Sequence, residues 1–187
     1  MKSGALLTLI AATLASSALA GVPEPYPVEI EPWNTYGRAF VTPGSQSGTD
    51  SVLITVLNAD YEPISNAVVD IDLSNCEDLC ICNPDGLTGV TDQDGQVRLN
   101  PRVGGSEECP VIVRANAVTI GVYEMITSTD WGSNGCDGVV GAADLAFFGA
   151  AFNATQNPRA DYNGDGWVGG VDLSMFAASF ISGDGCR

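Results

Sequence analysis

Near its C-terminal end the chain repeats itself. CDGVVGAADLAFFGAAF (136–152) aligns with GDGWVGGVDLSMFAASF (164–180) at an offset of 28 residues, with nine identities in seventeen positions. The identities include Asp137/Asp165, Gly138/Gly166, Asp144/Asp172, Leu145/Leu173, Phe148/Phe176 and Phe152/Phe180. Asp, Gly and Phe recurring in register mean that one structural unit is built twice.

The second copy shows what the unit is for. In DYNGDGWVGGVD (161–172), oxygen-bearing side chains fall at loop positions 1, 3, 5 and 12, which are Asp161, Asn163, Asp165 and Asp172. Gly166 stands at position 6, where a sharp turn needs a residue tolerant of positive φ. Trp167 at position 7 offers its backbone carbonyl, and Gly169 at position 9 leaves room for a water. A hard cation such as Ca²⁺ takes about 6–8 oxygens from a flexible loop, and this spacing provides them. Position 12 is Asp rather than the Glu of an EF-hand, a shorter reach for the last ligand. Leu173, Phe176 and Phe180 then recur at helical spacing, so the loop feeds one amphipathic helix. Residues 154–160 (ATQNPRA) predict a loop before it, not a helix.

The first copy departs from this pattern. Counting back from Asp144 as position 12 puts Val139 at 7, Asp137 at 5, Gly135 at 3 and Ser133 at 1. Asp130 and Asn134 lie close by and enter the ligand set only if the loop is expanded by three residues.

Composition narrows the chemistry. The 187 residues hold 23 Asp plus Glu against 7 Lys plus Arg, a formal charge of −16, and no histidine. The only lysine is Lys2. Such a surface repels nucleic-acid phosphates and anionic membranes. Without His there is no Ser-His or Cys-His nucleophile and no His-ligated metal, and without Lys there is no Schiff base. Paired carboxylates are the catalytic route left open, with Asp70, Asp72, Glu77 and Glu124 the candidates.

Residues 1–20 read as a secretory signal, with Lys2 as the charged start, an apolar run Ala5–Leu14 and an Ala18-Leu19-Ala20 cleavage box. This predicts a secreted or cell-surface protein with no membrane insertion after cleavage. Six cysteines, Cys76, Cys80, Cys82, Cys109, Cys136 and Cys186, fit an oxidising compartment and favour disulfides over a four-thiolate zinc site. Bridging Cys80 to Cys82 makes too tight a ring, so Cys109 is expected to pair with one of them and Cys76 with the other.

Residues 21–36, with four prolines, read as an extended lead-in. From 37 to 127 short β-like runs alternate with turn clusters: Ser51–Leu57, Ala67–Leu73, Gln96–Leu99, Val111–Ala115 and Val118–Tyr123. In Ala67–Leu73, Val69, Ile71 and Leu73 share one face, with Asp70 and Asp72 on the other. This spacing predicts an antiparallel β-sandwich. The order NADYEPISNAVVDI, GVTDQDGQVRL, VIVRA resembles bacterial Ig-like domains.

A loop followed by one helix, duplicated over 128–187, resembles the dockerin type I module. The expected fold is therefore multi-domain, all-β plus a small α part: signal peptide 1–20, lead-in 21–36, Ig-like sandwich 37–127 and dockerin-like module 128–187. The resemblance implies two calcium-binding repeats that dock a cohesin-like domain, often in polysaccharide degradation. The recognition pair at positions 10 and 11, commonly hydroxylated in that family, is here Ala142–Ala143 and Gly170–Val171. A two-fold module brings its ends together, which suggests a Cys136–Cys186 clasp. Phe147, Phe148 and Phe152, with Met175, Phe176 and Phe180, are expected as core between the two helices. The leading expectation is a non-catalytic exported connector mediating attachment or adhesion. The alternatives are a tethered polysaccharide hydrolase and a carbohydrate-binding accessory in which Trp33, Tyr36 and Tyr61 stack on sugars.

Overall fold

The strands at Val52–Val56, Val68–Asp72, Gln96–Leu99 and Val111–Ala115 form where apolar residues alternate with polar ones, and their buried positions follow that period. A computed structural model describes residues 23, 28–31, 33, 38–43, 51–131, 136–155, 157–182 and 186. The leader, Tyr36 and Ser133–Gly135 lie outside these residues. Eleven strands are present among the described residues: β1 Val28–Glu31, β2 Arg38–Val41, β3 Val52–Val56, β4 Val68–Asp72, β5 Cys80–Ile81, β6 Thr88–Val90, β7 Gln96–Leu99, β8 Val103–Gly104, β9 Val111–Ala115, β10 Val118–Tyr123 and β11 Met125–Ser128. Two helices follow, α1 Ala142–Ala151 and α2 Gly170–Ser182. The protein is thus predominantly β with two short helices.

β1, β3 and β7 form one antiparallel sheet, and β10, β9, β4 and β6 form another. In β3, Val52, Ile54 and Val56 are buried; in β4, Val69 and Ile71; in β9, Val111, Val113 and Ala115. These side chains share one core with Val97, Leu99 and Ile120, so each sheet turns one face inward and the other to water. The turns explain the sequence between strands. Asn58 Oδ1 accepts from the amides of Asp60 and Glu62, both at 2.9 Å, and Asp92 Oδ1 accepts from Asp94 at 2.9 Å and Gln96 at 3.0 Å. These Asx turns reverse the chain without a ladder partner. Asn116 and Ala117, at φ 48° and 66°, make the two-residue β9–β10 hairpin, whose twist suits paired strands when both φ values are positive.

The proline-rich lead-in is more than an extended approach. Val28–Glu31 pairs antiparallel with β3, with Ile30 opposite Ile54. Its prolines, outside the strand, hid a four-residue run with its own alternation. β11 pairs parallel with β2 and is buried along all four residues. Thr129, Asp130 and Trp131 follow it, also buried, so the chain runs buried from β11 to Trp131. That part has its own core of Trp131, Val140, Phe148, Ala151, Ala160, Tyr162, Val168 and Phe176, against which Phe40 of β2 packs.

The disulfides differ from expectation. Cys76 pairs with Cys109, Cys80 with Cys136 and Cys82 with Cys186. The expected Cys136–Cys186 clasp is absent, and neither Cys80 nor Cys82 pairs with Cys109. The reason is topological: β5 pairs with β8, and the β8 edge carries the first repeat loop, so Cys80 and Cys82 face the C-terminal part. Cys186 is bridged to Cys82, beside β5, rather than to Cys136 of the repeat.

Candidate metal centre

The second loop is organised by its acids. Asp161 Oδ2 accepts from the amide of Gly166 at 2.9 Å, Asn163 Oδ1 from Asp165 at 3.0 Å, and Asp165 Oδ1 from Trp167 at 2.8 Å. Asp172 Oδ1 accepts from Tyr162 at 2.7 Å and Asn163 at 3.1 Å, while its Oδ2 accepts from Gly169 at 2.8 Å. Gly166, at φ 88°, makes the turn that the position-6 reading required. Asp161 and Asp172 are buried, whereas Asp165 lies exposed. Asp172 sits in the first turn of α2, where a negative charge complements the free amides of a helix start.

The first loop repeats four of these bonds. Trp131 donates to Asp144 Oδ1 at 2.6 Å, as Tyr162 does to Asp172. Gly141 donates to Asp144 Oδ2 at 2.7 Å, as Gly169 does to Asp172. Val139 donates to Asp137 Oδ1 at 2.9 Å, as Trp167 does to Asp165. Gly138, at φ 76°, donates to Asp130 Oδ2 at 2.8 Å, as Gly166 does to Asp161. Asp130 therefore stands where Asp161 stands in the second loop, and the loop from Asp130 to Asp144 is three residues longer than that from Asp161 to Asp172. The missed signal was an aromatic residue after the first acid in both copies, Asp130-Trp131 and Asp161-Tyr162. These two aromatics meet across the repeat, Trp131 Nε1 donating to the Tyr162 hydroxyl at 2.9 Å.

Burial, with the charges of Asp144 and Asp137 adding to it, pushes the Asp130 carboxyl up to about 6, against the pull of the Gly138 and Asp137 amides. Burial also raises the Tyr162 hydroxyl. The loop acids stand apart around their loops. Among the described residues, the one trio of acid or thiol ligand atoms mutually within 4.8 Å is Cys76, Glu107 and Cys109, and both of its sulfurs are spent in a disulfide.

The first loop is seated on the β part. Gly105 donates to the Asp130 carbonyl at 3.1 Å, and a Cβ on Gly104 would lie 2.2 Å from Asp130 Oδ2 and 3.2 Å from Cys136 Cβ. Gly104→Ala should therefore cost about 1–3 kcal/mol, the usual range for forcing atoms into a packed contact. Urea unfolding checks this, and an unchanged midpoint would show that the loop can step aside freely.

Other sequence candidates lie elsewhere. Asp70 and Asp72 flank Arg114, at 3.3 and 2.6 Å, beside a shallow open depression of about 420 Å³. Hydrogen bonds from Ser74, side chain and backbone, and the Arg114 guanidinium hold the Asp72 carboxyl below its ordinary range. Glu77 and Glu124 are exposed. Trp33 is buried, donating to the Phe40 carbonyl at 3.0 Å with its ring edge-on to Tyr123, while Tyr61 is exposed. The expected aromatic core is smaller than predicted. Phe148 and Phe176 are buried at 1% exposure, but Phe147, Phe152 and Phe180 are 43%, 36% and 37% exposed. Among the described side chains, each helix buries a single stripe, 144–148–151 in α1 and 172–176–179 in α2; Met175 packs partly on the same core, and most other positions face water.

No protein-family model, curated protein or solved structure matches the chain.

Proposed function

We propose that the chain is an exported, non-catalytic connector. In this reading an Ig-like sandwich carries a dockerin-like module whose two loops bind Ca²⁺, and the module attaches the protein to a cohesin-like or other partner domain at the bacterial cell surface. The observation that carries it is the fourfold correspondence of amide-to-carboxylate bonds between the two loops. Each acid is oriented by backbone amides, and small side-chain rotations would draw the set inward on a cation.

Attachment is supported by the helices. Leu145, Phe147, Phe152, Val171, Leu173 and Phe180 are all exposed, and the only acids of α1 and α2, Asp144 and Asp172, are buried. An uncharged apolar surface on so acidic a chain suits a protein partner better than a sugar or a nucleic acid. Ala142–Ala143 and Gly170–Val171 in place of hydroxylated pairs argue for a partner that reads apolar contacts. Because two disulfides join the module to the sheets, the whole mature chain is the right bait. Immobilised with and without Ca²⁺, it should retain a scaffold-type partner only with the cation, and less of it after Phe147→Ser with Leu173→Ser. Retention of polysaccharide, or release of sugar from it, would count for the accessory or hydrolase reading instead.

A further inference from the structure

The three disulfides fall into two kinds. Cys76 and Cys109 are 8% and 4% exposed and belong to the core between the sheets. Cys80, Cys82 and Cys136 are only half-buried, and Cys186 is exposed. The outer bridges start in β5, at Cys80, and just after it, at Cys82, and both end around one short segment of the first loop. Cys136 opens that segment. Gly138 closes it, with its carbonyl accepting from the Cys186 amide at 2.6 Å and with Cys186 Cβ and Sγ 2.9 Å from where a Gly138 Cβ would stand. Residues 136–138 are thus held between β5 and the C-terminal tail.

We propose that Cys80–Cys136 and Cys82–Cys186 form a thiol-sensitive latch on the first loop, which a dithiol opens while Cys76–Cys109 stays closed. The proposal does not depend on calcium. A reductant thiolate attacks one sulfur of a bridge, the S–S bond breaks, and the displaced cysteine thiolate takes up a proton. The second thiol of the reductant then resolves the mixed disulfide and leaves as a cyclic disulfide, so each bridge gains two electrons and two protons. Access decides which bridge reacts first, and access separates the outer pair from the buried one. Opening frees residues 136–138 and the tail but does not detach the module. Thr127 still donates to the Arg159 carbonyl at 2.8 Å, and Phe40 still packs on Tyr162 with ring centroids 4.9 Å apart. The second loop has no part in either bridge.

The test is graded reduction of the whole mature chain by dithiothreitol without denaturant, followed by alkylation, peptide mapping and amide hydrogen exchange. Cys80, Cys82, Cys136 and Cys186 should be alkylated roughly tenfold faster or more than Cys76 and Cys109. Exchange at 136–141 should rise about tenfold while 52–56 and 111–115 stay protected. Opening of all three bridges together, or of Cys76–Cys109 first, would overturn the proposal. So would four free thiols with unchanged exchange at 136–141. The Cys80→Ser/Cys136→Ser variant should show raised exchange at 136–141 without reductant. Exchange there equal to that of the unsubstituted chain, with Cys76–Cys109 intact, would also count against the latch.

Discussion

Phe148→Ala should lower stability by about 3–5 kcal/mol, the usual cost of deleting a buried aromatic ring. Phe148 stacks on Phe176 with centroids 5.0 Å apart and on Tyr162 at 5.8 Å, and it touches Phe152 at 6.2 Å. Among the described residues the cluster has eight buried members, Phe148 included, so few neighbours can close the gap. Tyr162 would lose a stacking face while still bound to Trp131, and Asp172 receives the Tyr162 amide. Loosening this core therefore reaches both loops. The core between the sheets is a separate cluster and should keep its hydrogen-exchange protection. Phe147→Ala is the matching control. Phe147 is 43% exposed, with only a stacked contact to Trp131 at 6.2 Å, so its loss should stay below about 1 kcal/mol. Denaturant midpoints at constant m-value separate the two, and equal losses would mean that the exposed ring is packing after all.

The second large effect comes from calcium itself. A ligand that binds only the folded chain adds RT ln(1 + [L]/Kd), about 3–4 kcal/mol at 100 to 1,000 times Kd. For a chain of this length each kcal/mol moves the melting temperature by about 2–4 °C. Calcium should raise the transition accordingly and chelator should reverse it. The reason lies in the electrostatics of the metal-free loops. Asp130, Asp137 and Asp144 belong to one loop and Asp161, Asp165 and Asp172 to the other, each accepting from a backbone amide, and neither helix carries a basic residue. A divalent cation would offset the three negative charges that each loop carries. Asp172→Asn removes a charged ligand and sets a side-chain NH2 against one of the buried amides that the carboxylate now accepts from, so stability in chelator should fall by about 1–3 kcal/mol and the calcium response should shrink as well. A chain whose transition is the same in calcium and chelator would leave the loops as amide-capped turns and nothing more.

Much of this was legible in the sequence, and the gaps have physical causes. β3, β4, β7 and β9 show period-two burial because one face of each strand meets the core. β11 was invisible because all four of its residues are buried, which removes the alternation. β1 was masked by the prolines around it. The second loop could be read directly because its spacing is unbroken. The first hid its position 1 behind three extra residues, and only the bond from Gly138 to Asp130 restored the register. Disulfide partners depend on which strand edges meet, and the β5–β8 pairing comes from tertiary packing rather than local pattern. The exposed phenylalanines have the opposite cause. Periodicity marks which helix positions share a face but says nothing of how wide a face the neighbour covers, and here it covers one stripe.

The most direct test is calorimetric titration of the mature, oxidised chain with Ca²⁺. Two sites are predicted, with Asp130→Asn removing one and Asp161→Asn removing the other. Absence of binding at millimolar Ca²⁺, or a stoichiometry that neither substitution changes, would contradict the account.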